Sequence, residues 1–367
     1  MIVTHLALAN VRNYVDLDWS PAPGLNLLVG ENAQGKSNLL EAIAMLGTGK
    51  SFRTSREGEL LREGMPVATI GGQAQLLPGN VRLACRLALG ANGLRKTYTR
   101  NGKPVRYAGY LGTLRVVVFV PAHLALVSGP PALRRTLINT ALSQEGAGYY
   151  AALARYASFV TQKGALLRAA PPLDLDLLAT YDEHLSAAGT QLMLARRAFV
   201  AALDERARQV HRSWLDDAEG ALELRYVPNV EFETPTEDAV QAAYRARLEQ
   251  MRAAEIARKL VLVGPHRDDL EFRLAGRPLA AFGSQGQQRT AVLALKAAEY
   301  GELEARGGEA PVMLLDDVLS ELDPVRRRAF LHGLGAYRQV FVTATTDVED
   351  VRGAVFRVRA ATLERVA

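Results

Sequence analysis

Three short runs in the 367-residue chain carry residue types that could do chemistry. The first is "GENAQGKS", Gly30 to Ser37, which fits the P-loop spacing G-x-x-x-x-G-K-[ST]. Its glycines let the backbone turn so that successive N–H groups face phosphate oxygens. A helix starting at the same place adds its positive end. On this reading Gly30, Glu31, Asn32, Ala33, Gln34, Gly35, Lys36, Ser37 and Asn38 surround a bound ATP. Lys36 reaches the β- and γ-phosphates, and the Ser37 hydroxyl ligates Mg²⁺. The second run is "VMLLDD", Val312 to Asp317, an apolar stretch ending in two acids. There Asp316 is assigned to the metal and Asp317 to the attacking water. Many strands end in Asp, and it is the P-loop upstream that gives this pair its meaning. The third is "FGSQGQQRT", Phe282 to Thr290. A core helix has no use for Gly283, Ser284 and three glutamines around Gly286, and an exposed one does not need that crowding. Small polar residues at a helix start make a second phosphate-binding surface, from the Ser284 hydroxyl, the Gly286 N–H and Gln287. A merely polar helix cap is the competing explanation.

The surrounding text supplies the elements that must position these runs. "LNLLVG" before the P-loop is a short apolar run stopped by glycine, as a buried strand would be, and "NLLEAIAMLG" after it has helical spacing with Gly47 as its expected C-cap. "THLALANVRNYVDLDW" alternates apolar and polar residues, and turns are expected at Asn92-Gly93 and Asn101-Gly102. "TLRVVVFVP" reads as a buried strand closed by Pro121. From Pro131 to about His211 the chain is rich in Ala, Leu and Arg with helical periodicity, broken at Ser143–Gly148 and Ala169–Asp176. A further helix follows Thr236. Strand-like text returns at "LVLVGPHRDDLEFRLAGRPLAAFG", then a helix from Ser284, the strand "VMLLDD", a helix after Pro324 and the strand "QVFVTAT". The simplest organisation is an α/β P-loop head built from residues 1–120 and 255–367, with a mostly helical arm, 121–254, inserted between them.

Composition bounds the function. The chain is 49% hydrophobic and 23% charged, typical of a globular protein, and no run of about 18 apolar residues is present to span a membrane. Its N-terminus lacks the pattern of a signal peptide, and the single cysteine, Cys85, fits a reducing cytoplasm. Net charge is +5, which hints at a polyanionic partner. Residues 121–254 hold 14 Lys plus Arg against 16 Asp plus Glu, a net of −2, so the outer parts carry +7.

Taken together these runs resemble known families at two levels. Ser284 to Gln288 resembles the signature motif of ABC-type ATPases, which binds the γ-phosphate held by a partner subunit's P-loop; "SELD", Ser320 to Asp323, resembles their D-loop. The combination "LANVRNY", "GENAQGKSNLLEAI", "GKSFRT", "SGPPALRR", "GPHRDD", "SQGQQR" and "LLDDVLSELD" is similar to the RecF family of SMC-like recombination mediators, over nearly the whole chain. That resemblance implies an ABC-type head, ATP with Mg²⁺, an ATP-dependent homodimer, binding to double-stranded DNA, and help in loading RecA at gaps with RecR and RecO. The chain departs from the superfamily in three places. Thr345 and Thr346 stand where a switch histidine is usual, Asp317 replaces the usual glutamate, and no convincing Q-loop glutamine follows "VVVFV". These departures point to slow hydrolysis, used as a timer rather than for power; the expected activity is that of a weak, DNA-stimulated ATPase.

Other residues keep two readings. Arg12 and Asn13 in "NVRNY" either meet the nucleotide or cap a strand end. Lys50, Arg53 and Arg56, clustered with Arg62 among glycines, are candidates for DNA phosphates, or a solvated basic loop. Arg134 and Arg135 either support a dimer or DNA contact or start the arm helix; His266, beside Asp268 and Asp269, offers a metal reading, but with no second histidine spaced to help it a structural turn near the ATP site is expected. The rival function classes are a transporter motor subunit and a structural DNA-binding protein with an inert ATP site. The separation of Ser37 from Ser284, 284 − 37 = 247 residues, is much longer than a transporter subunit's usual insertion.

Overall fold

The computed structural model describes residues 1–170, 172–214, 220–318, 333–346 and 353–366. The alternating N-terminal text folds as an antiparallel hairpin of β1 (Ile2–Val11) and β2 (Tyr14–Trp19). The apolar run that follows is β3 (Gly24–Val29), and after the P-loop comes α1 (Lys36–Thr48). This helix runs past the expected cap at Gly47. Its C-cap is Gly49, in the left-handed region at φ +65°, which donates its N–H to Met45. Gly47 is small for a different reason: a Cβ there would lie 2.8 Å from the Val116 side chain.

β4 (Val67–Leu76), β5 (Gly79–Gly90), β6 (Gly93–Arg100) and β7 (Lys103–Val105) extend the hairpin into an antiparallel sheet of order β2-β1-β4-β5-β6-β7. Gly93 and Gly102 occupy positive φ at the two expected turns. A short α2 (Tyr107–Tyr110) leads into β8 (Val116–Phe119).

The middle of the chain is mainly helical: α3 (Ala125–Ser128), α4 (Pro131–Glu145), α5 (Ala147–Arg168), α6 (Leu175–Trp214) and α7 (Glu237–Arg258). The breaks in periodicity fall where these helices end. β9 (Leu222–Val227) was not legible among them; its strand character comes from pairing with β10 (Asp269–Leu274). The apolar text "LVLV" before it is not a strand, because a 3₁₀ turn at Pro265–Arg267 intervenes and pairing starts only at Asp269. β11 (Arg277–Pro278) and α8 (Leu279–Phe282) precede α9 (Gln285–Gly307).

β12 (Val312–Leu315), β13 (Gln339–Ala344), β14 (Ala354–Arg359) and β15 (Thr362–Arg365) complete a second large sheet, of order β15-β14-β3-β13-β12-β8. Its strands from β14 to β8 are parallel. They are short apolar runs because both faces are covered. The expected "SELD" segment and the helix after Pro324 lie outside the described residues.

Two compact units result: Met1–His123 with Glu299–Ala367, and Leu124–Ala298. The second is longer than the 121–254 segment, since it includes β10, β11, α8 and the start of α9. In the first, Leu39, Leu40 and Ile43 of α1 pack between residues of both large sheets, such as Ile70 and Phe341. In the second, Tyr156, Leu185, Leu192 and Tyr244 join α5, α6 and α7 in a separate core.

Candidate nucleotide-binding and hydrolysis site

The sheet order places β13 between β3 and β12. Since all three are parallel, the P-loop after β3 and the acids after β12 emerge from the same carboxyl edge, where open α/β sheets bind ligands. Gly30 leaves β3 under tight constraint. Its N–H donates to Ala344 at 3.3 Å, and a Cβ there would lie 2.3 Å from the Val358 carbonyl oxygen. Gly35 has φ +118°, and its Cβ would meet the Tyr14 hydroxyl at 2.8 Å.

Both chain ends pin the loop. From the β1–β2 turn, Asn13 Nδ2 donates to the Gln34 carbonyl at 3.2 Å and the Tyr14 hydroxyl donates to that of Gly35 at 3.3 Å. From the β14–β15 turn, the Ala360 N–H donates to Gln34 Oε1 at 2.7 Å and the Ala361 N–H to the Gln34 carbonyl at 3.1 Å. Asn38 Nδ2 donates to Asn13 Oδ1 at 2.8 Å, which ties α1 to the same turn. Glu31, Asn32 and Ala33 form the exposed crest.

Lys36 is buried, and its Nζ donates to the Gly30 and Glu31 carbonyls at 2.5 and 2.7 Å. Burial lowers its pKa, opposed by the nearby Asp317 and Asp316. An ammonium stripped of water gains most from an anionic partner, and its third proton remains to meet one. Ser37 Oγ donates to Asp316 Oδ1 at 2.8 Å. With its proton spent there, the lone pairs of Oγ suit a cation. Asp317 takes up a left-handed backbone, φ +49°. The residues present therefore fit a magnesium nucleotide: Ser37 and Asp316 would hold the ion, and Gly35 and Lys36 the phosphates.

A cleft of about 930 Å³ opens over these groups. Thr345 lines it, and so do Arg12, Asn13 and Asn38. Arg12 is at the wall, but its guanidinium is committed to Glu41, with bonds of 2.9 and 2.8 Å, and to the Glu59 carbonyl. The three candidate DNA cations separate. All three are exposed, but Arg53 alone of them lines the cleft, where it donates to Asn38 Oδ1 at 2.6 Å.

The family model for the RecF/RecN/SMC N terminal domain matches residues 2–358. The DNA replication and repair protein RecF of Symbiobacterium thermophilum is 41% identical over 373 residues, covering 99% of this chain and 98% of that protein. The chain belongs to the RecF family. The RecF protein of Geobacillus thermodenitrificans is 37% identical over 356 residues, covering 96% of this chain and 94% of its own. A solved structure of the recombination mediator protein RecF-ATP in the RecFOR pathway superposes with a TM-score of 0.91 at 29% identity, covering 100% of this chain and 98% of that one. An Smc head bound to the C-winged helix domain of ScpA, at 16% identity and a TM-score of 0.57, shares the fold alone. The RecF-family chain thus has an SMC-like P-loop ATPase head, built from N- and C-terminal strands, with a helical arm inserted.

In this RecF-family chain Ser284 lies in the Leu124–Ala298 unit and caps α9. The Gln287 N–H donates to Ser284 Oγ at 3.2 Å, and the Ser284 N–H donates to Gln287 Oε1 at 2.9 Å. This reciprocal capping box accounts for Ser284 and Gln287 locally. It uses the hydroxyl oxygen of Ser284 and not its proton, and gives no reason for Gly286. Gln288 Nε2 donates to the Gly283 carbonyl at 3.0 Å.

The RecF-family motifs "SGPPALRR" and "GPHRDD" meet in one buried node. Arg134 grips Asp269 with bonds of 2.6 and 2.9 Å, and Arg135 donates to the Asp268 carbonyl at 2.7 Å. Asp268 also accepts from Arg196 at 2.8 Å and from the Tyr226 hydroxyl. His266 sits in a turn against the Tyr156 hydroxyl, 2.7 Å from Nδ1, and burial pushes its pKa down to about 4. Of these, Arg134, Arg196 and Asp268 are buried, and Arg135, Tyr226, His266 and Asp269 are half-buried.

Two residues escaped sequence reasoning: Thr343, which lines the cleft, and Glu41, which holds the Arg12 of its wall. Glu41 is a fully buried carboxylate on α1 that accepts from Arg12 and Ser51. Thr343 is a lone hydroxyl in the apolar strand "QVFVTA". In each case the signal was a polar residue at a position whose period calls for an apolar one.

Proposed function

We propose that this chain is an ATP-gated DNA clamp of recombinational repair. Lys36 holds the β- and γ-phosphates, Ser37 and Asp316 hold Mg²⁺, and Asp317 orients the attacking water. The ion would neutralise charge that develops on the phosphates. Ser284 and Gly286 of a second copy complete each site, so two sites form on a twofold axis. ATP favours the closed dimer because only that state satisfies its γ-phosphate from both sides. Hydrolysis removes the bridging group and opens the pair. The closed pair binds double-stranded DNA, with Lys50, Arg53 and Arg56 on phosphates, and works with RecR and RecO to load RecA in the cytoplasm.

The observation that carries this reading is the Ser37–Asp316 bond, which supports it by joining the two proposed metal ligands from distant parts of the chain. The RecF-family relatives add the repair context. Hydrolysis is slow on this reading, since Thr345 and Thr346 offer no imidazole and Asp317 has a shorter reach than glutamate. The test is duplex affinity measured with ATP, with ADP and without nucleotide. Tight binding with ATP alone, lost in Lys36→Met, supports the clamp; nucleotide-independent binding, or turnover at tens per second, contradicts it.

A further inference from the structure

Thr343 sits on β13, between the strand that feeds the P-loop and the strand that ends in the acids. It is 1% exposed, so its hydroxyl needs partners within the protein. Both belong to the acidic pair. Thr343 Oγ1 donates to Asp316 Oδ1 at 2.9 Å and accepts the Asp317 N–H at 2.8 Å.

We infer that Thr343 is a positioning residue for the ATPase, setting the metal-holding carboxylate and the water-orienting residue with one hydroxyl. This rests on the reading of the cleft as an ATPase site. Asp316 Oδ1 receives two hydroxyl protons, from Ser37 on one side and Thr343 on the other. Two donors from different elements fix the carboxylate's rotation, so its remaining lone pairs face an ion from a set direction. The bond to the Asp317 N–H acts on the backbone. A left-handed conformation is disfavoured for aspartate and persists where the surroundings over-determine it. Thr343 contributes to that constraint by holding the Asp317 N–H, the point from which the side chain departs. Groups that hold a metal's ligands in this way change metal affinity or activity roughly 10- to 100-fold when removed.

The test compares Thr343→Val, which keeps the shape and deletes the hydroxyl, with Thr343→Ser, which keeps the hydroxyl. Three quantities are read: Mn²⁺ affinity in the presence of ADP, by electron paramagnetic resonance; the Mg²⁺ concentration for half-maximal turnover; and ADP affinity in EDTA. The expected result for Thr343→Val is a roughly tenfold rise in both metal constants and at least a tenfold fall in kcat, with ADP affinity in EDTA unchanged. Thr343→Ser stays within about threefold of the parent on every measure, well short of that loss. If the valine chain does not fold, Thr343→Ala reads the same loss. Metal constants and kcat that stay at the parent's values in the hydroxyl-less variant overturn the inference. A parent chain without metal-dependent turnover instead overturns the ATPase reading on which it rests.

Discussion

The Ser37 hydroxyl donates to Asp316 Oδ1 at 2.8 Å, although 279 residues separate the two in sequence. The bond exists because β3 and β12 flank β13 in one parallel sheet. The two residues proposed to hold the metal are thus brought together by strands from opposite ends of the chain.

Asp316→Asn keeps an oxygen for the two hydroxyls and removes the charge. ATP turnover should fall on the order of 100-fold. The melting temperature should stay close to the parent's. A phosphate-release assay beside a thermal melt checks both.

Ser284 has a local duty as the cap of α9 and a proposed duty toward a partner's phosphate. Aspartate separates them, because it caps a helix as well as serine does. Ser284→Asp should melt with the parent and bind ATP in its own P-loop, yet lose the ATP-dependent dimer by placing a carboxylate against the γ-phosphate. Ser284→Ala should cost about 1 kcal/mol of stability through the lost cap. Chemical denaturation and sizing of the three proteins read these outcomes.

Lys50, Arg53 and Arg56 are all exposed, and Arg53 is in addition bonded to Asn38 in the cleft wall. The double reversal Lys50→Glu, Arg56→Glu should weaken duplex binding roughly tenfold at ~0.1 M salt and flatten the salt dependence by about two phosphate contacts. ATP affinity should not move. Arg53→Glu should disturb nucleotide affinity as well as DNA binding. Fluorescence anisotropy across a salt series separates the two classes.

His266 gives the chain an acid-side weakness. Its folded pKa is depressed to about 4 by burial, against about 6.5 in the unfolded chain. The unfolded state therefore binds the proton first, so stability falls as pH drops from about 6.5 and the loss levels off below about 4. The full effect is on the order of 3 kcal/mol. Above about pH 6.5 the residue adds no pH dependence. In His266→Gln the slope between pH 6.5 and 4 should be shallower, whatever constant cost the substitution brings; urea titrations across that range read it.

Much of the first unit was legible because its chemistry is written in contiguous runs. The P-loop, the paired acids and the Asn-Gly turns each report a local backbone requirement. What stayed hidden depends on distant partners. Glu41 and Thr343 are polar residues in apolar elements, and only tertiary contact tells what they bind. β9 is a strand because β10 lies beside it. Gly47 looked like a helix end, while its smallness serves the contact with Val116. The arginines of "SGPPALRR" were open to a partner contact or to the start of the arm helix; they lie in the first turns of α4, and the bond of Arg134 to Asp269 could not be read from the sequence.

The central claim is that "SQGQQ" meets a nucleotide held by a second copy. Light scattering without nucleotide, with ADP, and with ATP plus Mg²⁺ tests it directly. The expected mass is that of one chain in the first two conditions and of two chains in the third. A mass that ignores nucleotide would contradict it and leave the P-loop an ordinary site served by its own chain alone.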